Sequence, residues 1–279
     1  MDTLGVTIEF LDEYIKKHDF TTKPLVVGVS GPQGSGKLYL SVHLQKVLTE
    51  KYPQYQTIQF LMDDLYLTHE DQNQLNLTNE NSLLHGRGLP GTHDLVLGEC
   101  LFSSIRNEHC PIQFPIYDKL RFNGKGDRSE STVKIDKPVN IVIFEGWFNG
   151  YTALDDTQLK LAYFGNPNLW DYKLYEVEEV NRYLRLYHNI WDQFDVFVNI
   201  NAANIVENVL HWRTQQEHML ISQTGVGMSD EQIKVFLKRY MPIYALYYND
   251  LCGGGNNNSP TIQLHINSDR VLISHTIAN

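Results

Sequence analysis

The residue pattern that points most directly to chemistry is a glycine-rich stretch, Ser-Gly-Pro-Gln-Gly-Ser-Gly-Lys, at positions 30–37. Its glycines let backbone N–H groups point toward phosphate oxygens, and a helix that starts at Lys37 adds a favourable dipole. Lys37 would then contact the β- and γ-phosphates of a nucleotide, whereas a simple glycine turn is the alternative. The predicted nucleotide-binding residues are Gly31, Pro32, Gln33, Gly34, Ser35, Gly36, Lys37 and Leu38.

The spacing Gly31-x-x-x-x-Gly36-Lys37 is that of a P-loop, but the next residue departs from the P-loop pattern. P-loop enzymes have Ser or Thr there, whose hydroxyl binds Mg²⁺, and Leu38 offers no oxygen. Ser41 lies a full helical turn further on and is a poor replacement. The sequence leaves open whether carboxylates and water hold the magnesium instead or whether metal binding is weakened.

Acidic residues follow two apolar runs, which predicts that they lie where parallel strands end and ligands bind. Asp63 and Asp64 come at the end of the run at 57–62. Asp63 is suited to accept a proton from a substrate hydroxyl as the γ-phosphoryl group leaves, and it is also a candidate metal contact. A helix or turn cap is the alternative for this pair. Glu145 follows the run at 140–144 and resembles a Walker B carboxylate that holds magnesium directly or through water, with the anchoring of a loop as its alternative.

Two loops carry candidate contacts to a phosphoryl acceptor. In Gly-Arg-Gly-Leu-Pro-Gly-Thr-His-Asp at 86–94, Arg87 is suited to bind an anion, whereas His93 and Asp94 on their own favour a helix N-cap. The segment 117–128 has four basic and two acidic residues, a charge of +2 in a chain whose charge is −10. Cations on glycine-containing loops suit carboxylate or phosphate recognition, and a solvated charge run is the alternative.

Arg213 is the candidate for a cation that reaches the transferred phosphoryl group from a lid. It lies on a predicted helix ahead of a glycine-containing break at 223–227, and Arg182 and Arg185 are weaker candidates. The histidines show no H-E-x-x-H spacing, and no G-x-S-x-G motif is present. These absences argue against hydrolase chemistry.

Alternating strands and helices must position these residues. The pattern predicts strands at 25–29, 57–62, 138–144 and 196–200, and helices at 37–52, 94–105, 171–194, 204–221 and 229–248. A first amphipathic helix within 1–20 is expected to pack on the core, a loop is predicted at 252–260, and a closing hairpin is predicted around 267–270. The segment 151–180 reads as an insertion with a solvated acidic surface. This order predicts an α/β fold with a mainly parallel sheet and helices on both faces.

Composition narrows the class of protein. The 279 residues, 42% of them hydrophobic, predict a single domain over 1–279, and a net charge of −10 argues against nucleic acid or anionic lipid as a partner. Three cysteines without a C-x-x-C pair predict neither a disulfide framework nor a zinc site. Without a secretion signal or a long apolar run, we expect a soluble protein with no membrane partner, located in the cytoplasm, with the nucleus left open as a second location.

Taken together, the motifs resemble the D-glycerate 3-kinase family of P-loop kinases, especially its fungal members, which are described as probable ATP-dependent kinases. The resemblance spans nearly the whole chain. It is carried by the motifs Ser30-Gly-Pro-Gln-Gly-Ser-Gly-Lys37, Asp63-Asp-Leu-Tyr-Leu-Thr68, Gly86-Arg-Gly-Leu-Pro-Gly-Thr-His-Asp94, Tyr117-Asp-Lys119 with Gly126-Asp-Arg128, Glu145-Gly-Trp147, and Trp212-Arg213 with Gly227-Met-Ser229.

The family is related to uridine kinase, phosphoribulokinase and pantothenate kinase, which implies ATP and Mg²⁺ and a small hydroxylated, acidic acceptor such as D-glycerate. Lys37, Asp63 and Arg213 would be catalytic, and Asp63 and Glu145 would serve the metal. The implied acceptor-binding residues are Arg87, His93, Asp94, Tyr117, Lys119 and Arg128. Leu38 motivates the competing hypothesis of a nucleotide-binding regulator with weakened catalysis, and a GTPase is disfavoured because no N-K-x-D motif is present.

Overall fold

A computed structural model describes residues 2–225, 227–254 and 259–278. Its centre is a six-stranded sheet in the order β2-β5-β1-β6-β7-β8, and a separate two-stranded sheet pairs β3 with β4. The strands are β1 (Leu25–Ser30), β2 (Thr57–Leu61), β3 (Ile112–Asp118), β4 (Asp127–Ile135), β5 (Ile141–Gly146), β6 (Val196–Asn201), β7 (Thr261–Ile266) and β8 (Leu272–Ala278).

Five strands of the central sheet run parallel, and β8 returns antiparallel to β7 as the predicted closing hairpin. The parallel strands are apolar because both of their faces are covered. Glu145 pairs in register with Leu61 of β2 on one side and with Val29 of β1 on the other. The glycine-rich turn after β1 and both acidic positions therefore lie at the same end of the parallel strands.

Helices cover both faces of the sheet, as the sequence predicts. They are α1 (Thr3–Lys17), α2 (Lys37–Lys51), α3 (His69–Thr78), α4 (Leu95–Arg106), α5 (Asp156–Gly165), α6 (Leu174–Leu186), α7 (His188–Trp191), α8 (Ile205–Thr224), α9 (Asp230–Lys238), α10 (Met241–Ile243) and α11 (Asn249–Cys252). A π-helical turn at Tyr244–Tyr248 joins the last two, and 3₁₀ turns lie at Met62–Leu65, Ser82–Leu84 and Pro167–Leu169.

Alternate residues of the strands face two separate hydrophobic clusters. On β1, Val27 and Val29 pack with α1 and α2, whereas Val26 packs with the larger cluster under α4, α6 and α10. The amphipathic helix α1 buries Leu11 and Ile15 against the sheet and contacts α2, β6 and β7. Within the described ranges, no helix combines the length and the apolar character needed to cross a membrane.

The structure differs from the sequence prediction in several elements. The charged segment 117–128 does not form one long loop, because its two ends belong to the β3–β4 hairpin. Strand β4 has no buried residue and is rich in Ser, Thr and charged residues, so it lacks the apolar alternation that marks a half-buried strand. The predicted helix 171–194 is divided into α6 and α7, and the predicted helix 229–248 is divided after α9.

The acids of 151–180 are not all solvated: Glu176 is buried, and it accepts hydrogen bonds from the backbone N–H and the hydroxyl of Ser82. Parts of the predicted break at 223–227 and of the predicted loop at 252–260, namely 226 and 255–258, lie outside the described residues.

Candidate active site

The glycine-rich turn predicted to bind phosphate joins the end of β1 to the first residue of α2, Lys37. Gly34 and Gly36 have φ angles of +81° and +92°, which side-chain-bearing residues rarely adopt. A Cβ atom on Gly34 would lie 2.5 Å from Cβ of Trp212, whereas one on Gly36 would meet nothing within 4 Å. Gly34 is therefore required by packing, and Gly36 leaves open space at the start of the helix.

Polar side chains of the turn are buried without a hydrogen-bond partner in the described part of the chain. They are the hydroxyls of Ser30 and Ser35 and the Oε1 atom of Gln33. The backbone N–H of Gln33 is held by the hydroxyl of Tyr244, 3.0 Å away. Buried polar groups without partners are costly, so the two hydroxyls are available to donate hydrogen bonds to a ligand, and Oε1 of Gln33 is available to accept one.

Lys37 and Glu145 form an ion pair across the sheet edge, with Nζ 3.8 Å from Oε1. Both side chains are largely buried. Burial raises the pKa of Glu145, and the charge of Lys37 opposes that rise only in part. The structure therefore brings the predicted phosphate-binding lysine and the predicted Walker B carboxylate together.

Asp63 and Asp64 have different surroundings although they are neighbours. Asp63 lies 2.5 Å from Nζ of Lys119 and accepts a 2.8 Å hydrogen bond from the hydroxyl of Tyr66. Burial alone would raise the pKa of Asp63, but the charge and hydrogen bond of Lys119 and the bond from Tyr66 outweigh it and lower the pKa. Asp64 instead accepts the backbone N–H groups of Leu61 and Tyr117, each at 3.1 Å. Asp64 thus ties β2 to β3, and Asp63 holds an ionised carboxylate in the cleft.

Asp94 and Arg128 are also paired, at 3.2 Å. Asp94 caps α4 by accepting the N–H of Leu97 at 2.9 Å, as the N-cap interpretation predicts, and its other oxygen faces Arg128. Arg128 also donates to the carbonyl of Tyr66, 3.1 Å away. The pair joins the hairpin to the residues that surround Asp63.

His93 is buried beside this group. Its Nδ1 lies 2.7 Å from the hydroxyl of Tyr187, and its ring packs on Tyr66 at a centroid distance of 4.6 Å. Burial lowers the pKa of His93 to about 3, so the ring is neutral at physiological pH. A neutral imidazole here can exchange hydrogen bonds but carries no charge.

Arg87 bridges the two acceptor-side loops. Its Nη1 donates to the carbonyls of Gly124, at 2.8 Å, and Lys125, and its guanidinium lies 5.8 Å from the ring centroid of Tyr117. Tyr117 in turn packs edge-on against Tyr66. The structure thus gathers the predicted acceptor-side residues around Asp63, with Arg87 at the outer side.

Arg213, a predicted catalytic residue, makes its contacts on α8 and α9 and not with the residues around Asp63. Its Nη2 is 2.5 Å from Oε1 of Glu217, and its guanidinium packs over Phe236 of α9. Glu217 also accepts the N–H of Met228. Within the described residues, the ion pair of Arg213 is with its own helix rather than with the P-loop or Asp63. Arg182 pairs with the partly buried Glu179, and Arg185 pairs with the exposed Asp156.

Sequence reasoning missed Arg270, which lies in the turn between β7 and β8. Its Nε donates to the carbonyl of Gly34 at 2.6 Å, its Nη1 donates to Gln215 at 2.9 Å, and it packs over Trp212. The indole N–H of Trp212 donates to the carbonyl of Ser268 in the same turn. The turn was predictable from its residues, but no sequence signal indicates that it supports the P-loop.

No protein-family model matches the chain. The probable ATP-dependent kinase TDA10 of Saccharomyces cerevisiae is 41% identical over 284 residues, covering 97% of this chain and 95% of that protein. A solved D-glycerate 3-kinase from Cryptococcus neoformans has a TM-score of 0.86 at 36% identity and covers 98% and 97% of the two chains. The chain belongs to the D-glycerate 3-kinase family of P-loop kinases.

A third relative extends the comparison to plants. The chloroplastic D-glycerate 3-kinase of Arabidopsis thaliana is 34% identical over 256 residues, which are 89% of this kinase and 52% of the plant protein. The family assignment confirms the predicted α/β P-loop kinase fold and the predicted use of ATP. The relatives are named as kinases, so they do not favour the alternative of a regulator that was based on Leu38.

Proposed function

We propose that this kinase transfers the γ-phosphoryl group of ATP to a hydroxyl of a small acidic metabolite, with D-glycerate as the first candidate. The observation that carries the proposal is the environment of Asp63, an ionised carboxylate held by Lys119 and Tyr66 within electrostatic reach of Lys37. A hydroxyl acceptor needs such a carboxylate to take up its proton. The relatives named D-glycerate 3-kinase support the class of acceptor.

The phosphates of ATP would lie against the turn at 31–38. Three features suit a chain of phosphate oxygens: the open space at Gly36, the adjacent ammonium of Lys37, and the hydroxyls of Ser30 and Ser35, which have no hydrogen-bond partner among the described residues. Arg213 is paired with Glu217 in this structure. It would therefore contact the transferred phosphoryl group only after leaving Glu217.

The residues present fit Mg²⁺ as a partner of ATP. Within the described ranges, no group of three or more acidic, histidine or cysteine side chains is arranged to hold a metal. Asp63 and Glu145 nevertheless supply two carboxylates at neighbouring strand ends, and Mg²⁺ is usually held by one or two carboxylates together with phosphates and water. When bound, the ion would neutralise charge that develops on the phosphates.

The acceptor would lie between the two loops that surround Asp63. Lys119, Arg128 and Arg87 place positive charge where an acid can be held, and Tyr117 and Asp94 fix the positions of these cations. The neutral ring of His93 can hydrogen-bond a hydroxyl without repelling the cations. The hydroxyl proton passes to an oxygen of Asp63 as the new O–P bond forms and the bond from the γ-phosphorus to ADP breaks.

The test of the proposal is ADP formation with Mg-ATP and a panel of acceptors that contains D-glycerate, larger sugar acids, polyols and nucleosides. We expect turnover with one or more hydroxy acids and background rates with uncharged polyols and nucleosides. Faster turnover of an uncharged acceptor than of any hydroxy acid would contradict the assignment of an acidic substrate.

The role of Asp63 is tested separately by Asp63→Asn. We expect kcat to fall by about 10²- to 10⁴-fold, the usual contribution of a general base, while ATP binding is retained. Asp71→Asn, at an exposed acid of α3, is the matched control and should retain activity. Retention of wild-type kcat by Asp63→Asn would remove Asp63 as the base.

A further inference from the structure

A cavity of about 410 Å³ lies beside the group of residues around Asp63 and shares Arg87 with it. It is bounded by α3, the loop at 85–87, the tip of the β3–β4 hairpin and α9. Its volume is within the range of small-molecule sites. The side chains that matter for its chemistry are His69, Asn73, Arg87, Lys125, Phe236 and Arg239.

The charge of this cavity is positive and uncompensated. Arg87, Lys125 and Arg239 line it, and no acidic side chain is among its lining residues. Within the described part of the chain, none of these three cations has a carboxylate within ion-pair distance. The cations of the cleft differ, since Lys37 and Lys119 are each paired with an acid.

The two arginines are held rigidly by neutral groups. Arg239 donates to the carbonyls of His85, Gly86 and Arg87 at 2.5–2.8 Å, and Arg87 donates to the carbonyls of Gly124 and Lys125. Carbonyl oxygens fix a guanidinium in place but leave its full charge. The cavity therefore presents preorganised positive charge, which favours an anion without a large cost in side-chain ordering.

We propose that this cavity is a second small-molecule site, which binds a multiply charged phosphate-type anion separately from the nucleotide and the phosphoryl acceptor. Two guanidinium groups held by carbonyl oxygens and the exposed ammonium of Lys125 suit the several oxygens of a phosphate or phosphate ester. The imidazole of His69 stacks on Phe122 at 3.8 Å and adds a polar edge to the site. An anion bound here would connect α9 to the loop at 85–87.

Inorganic phosphate is the probe, with the nucleotide site of the full chain saturated by a non-hydrolysable ATP analogue and Mg²⁺ so that the P-loop is occupied. Binding is measured by calorimetry and by the shift in Tm. Val235→Glu places an acid at an exposed position of α9 that lines the cavity. Val206→Glu makes the same change at an exposed valine of α8 that is not a lining residue.

We expect saturable phosphate binding that Val235→Glu and Lys125→Met each weaken by about tenfold, which equals 1.4 kcal/mol, and that Val206→Glu leaves unchanged. Absence of saturable binding, or equal weakening by both valine variants, would overturn the proposal. Displacement of phosphate by the kinase's own acceptor would also overturn it, by showing a single acceptor site. The phosphate titrations of the wild type and of the two valine variants measure no turnover, so their outcomes are independent of whether D-glycerate is the substrate.

Discussion

Replacement of Lys119 by methionine removes the ammonium group that lies 2.5 Å from Oδ2 of Asp63 and keeps most of the side-chain volume. The hydrogen bond from Tyr66 to the other carboxylate oxygen stays in place. Burial, which raises the pKa of Asp63, is then opposed by fewer favourable contacts. We therefore expect the pKa of Asp63 to rise in Lys119→Met.

The size of the rise follows from the geometry of the pair. An opposite charge within about 4–6 Å lowers a carboxyl pKa by about 1–3 units. Because 53% of the Lys119 side chain is exposed, solvent screens the pair, and the lower end of that range applies. A shift of about one unit corresponds to about 1.4 kcal/mol between the two protonation states.

The assay is the pH dependence of kcat/KM with Mg-ATP and the best acceptor, followed from neutral pH down through the ordinary carboxyl range. We expect the acidic limb of Lys119→Met to move up by about one unit, since a base must be deprotonated. Lys125→Met, at an exposed lysine of the same hairpin tip, is the control and should keep the wild-type limb. A raised acceptor KM with an unmoved limb would refute the reasoning, because Lys119 would then act on the substrate and not on Asp63.

The ion pair between Asp63 and Lys119 should also make the stability of the fold depend on pH. The pKa of Asp63 is lowered in the folded state, so its ionisation stabilises the fold above the ordinary carboxyl pKa. That contribution is lost as the pH falls through the lower folded value. The wild type should therefore lose its stability advantage over Lys119→Met under acidic conditions, as measured by urea unfolding at several pH values.

Further predictions concern the nucleotide side and the buried histidine. Leu38→Ser should lower the Mg²⁺ concentration for half-maximal turnover, because it restores a hydroxyl ligand; an unchanged titration would show that this position is not limiting. Arg270→Met should raise the KM for ATP several-fold with less effect on kcat, because it frees the carbonyl of Gly34. Steady-state kinetics test this, and an equal change in KM and kcat would contradict it. Gly34→Ala should abolish ATP binding in a calorimetric titration, since its Cβ would clash with Trp212. The His93 ring should show no titration between pH 5 and 8 by NMR, because its pKa is about 3.

The parts of the site that could be predicted from sequence are those that local signals specify. The turn at 31–37 carries its own glycines, and the strand before it and the helix after it are marked by apolar residues at the right spacing. Glu145 follows from the same reasoning, because the short apolar run before it is consistent with a buried strand, which the structure shows as β5. Adjacent parallel strands then bring it beside Lys37.

The parts that could not be predicted depend on long-range contacts or on weak local patterns. Strand β4 has little apolar character, so its pairing with β3 is decided by the hairpin as a whole. The contact of Arg270 with Gly34 joins residues 236 positions apart. The pairing of Arg213 with Glu217 has helical spacing, but a spacing cannot tell which partner an arginine prefers when a phosphate is also a candidate.

The Lys37–Glu145 pair gives a physical reason why nucleotide and metal binding should depend on each other in spite of Leu38. On the proposed function, phosphate oxygens compete with Glu145 for the ammonium of Lys37. Glu145 is buried, and its pKa is already raised, so loss of Lys37 as a partner makes its ionised form more costly unless another cation takes that place. Glu145 would then be free to hold a divalent cation that accompanies ATP, and the charge of that cation would replace the charge of the lysine. The carboxylate that stabilises the lysine before ATP binds would thus favour Mg²⁺ once the lysine has moved to the phosphates, and this exchange needs no oxygen from residue 38.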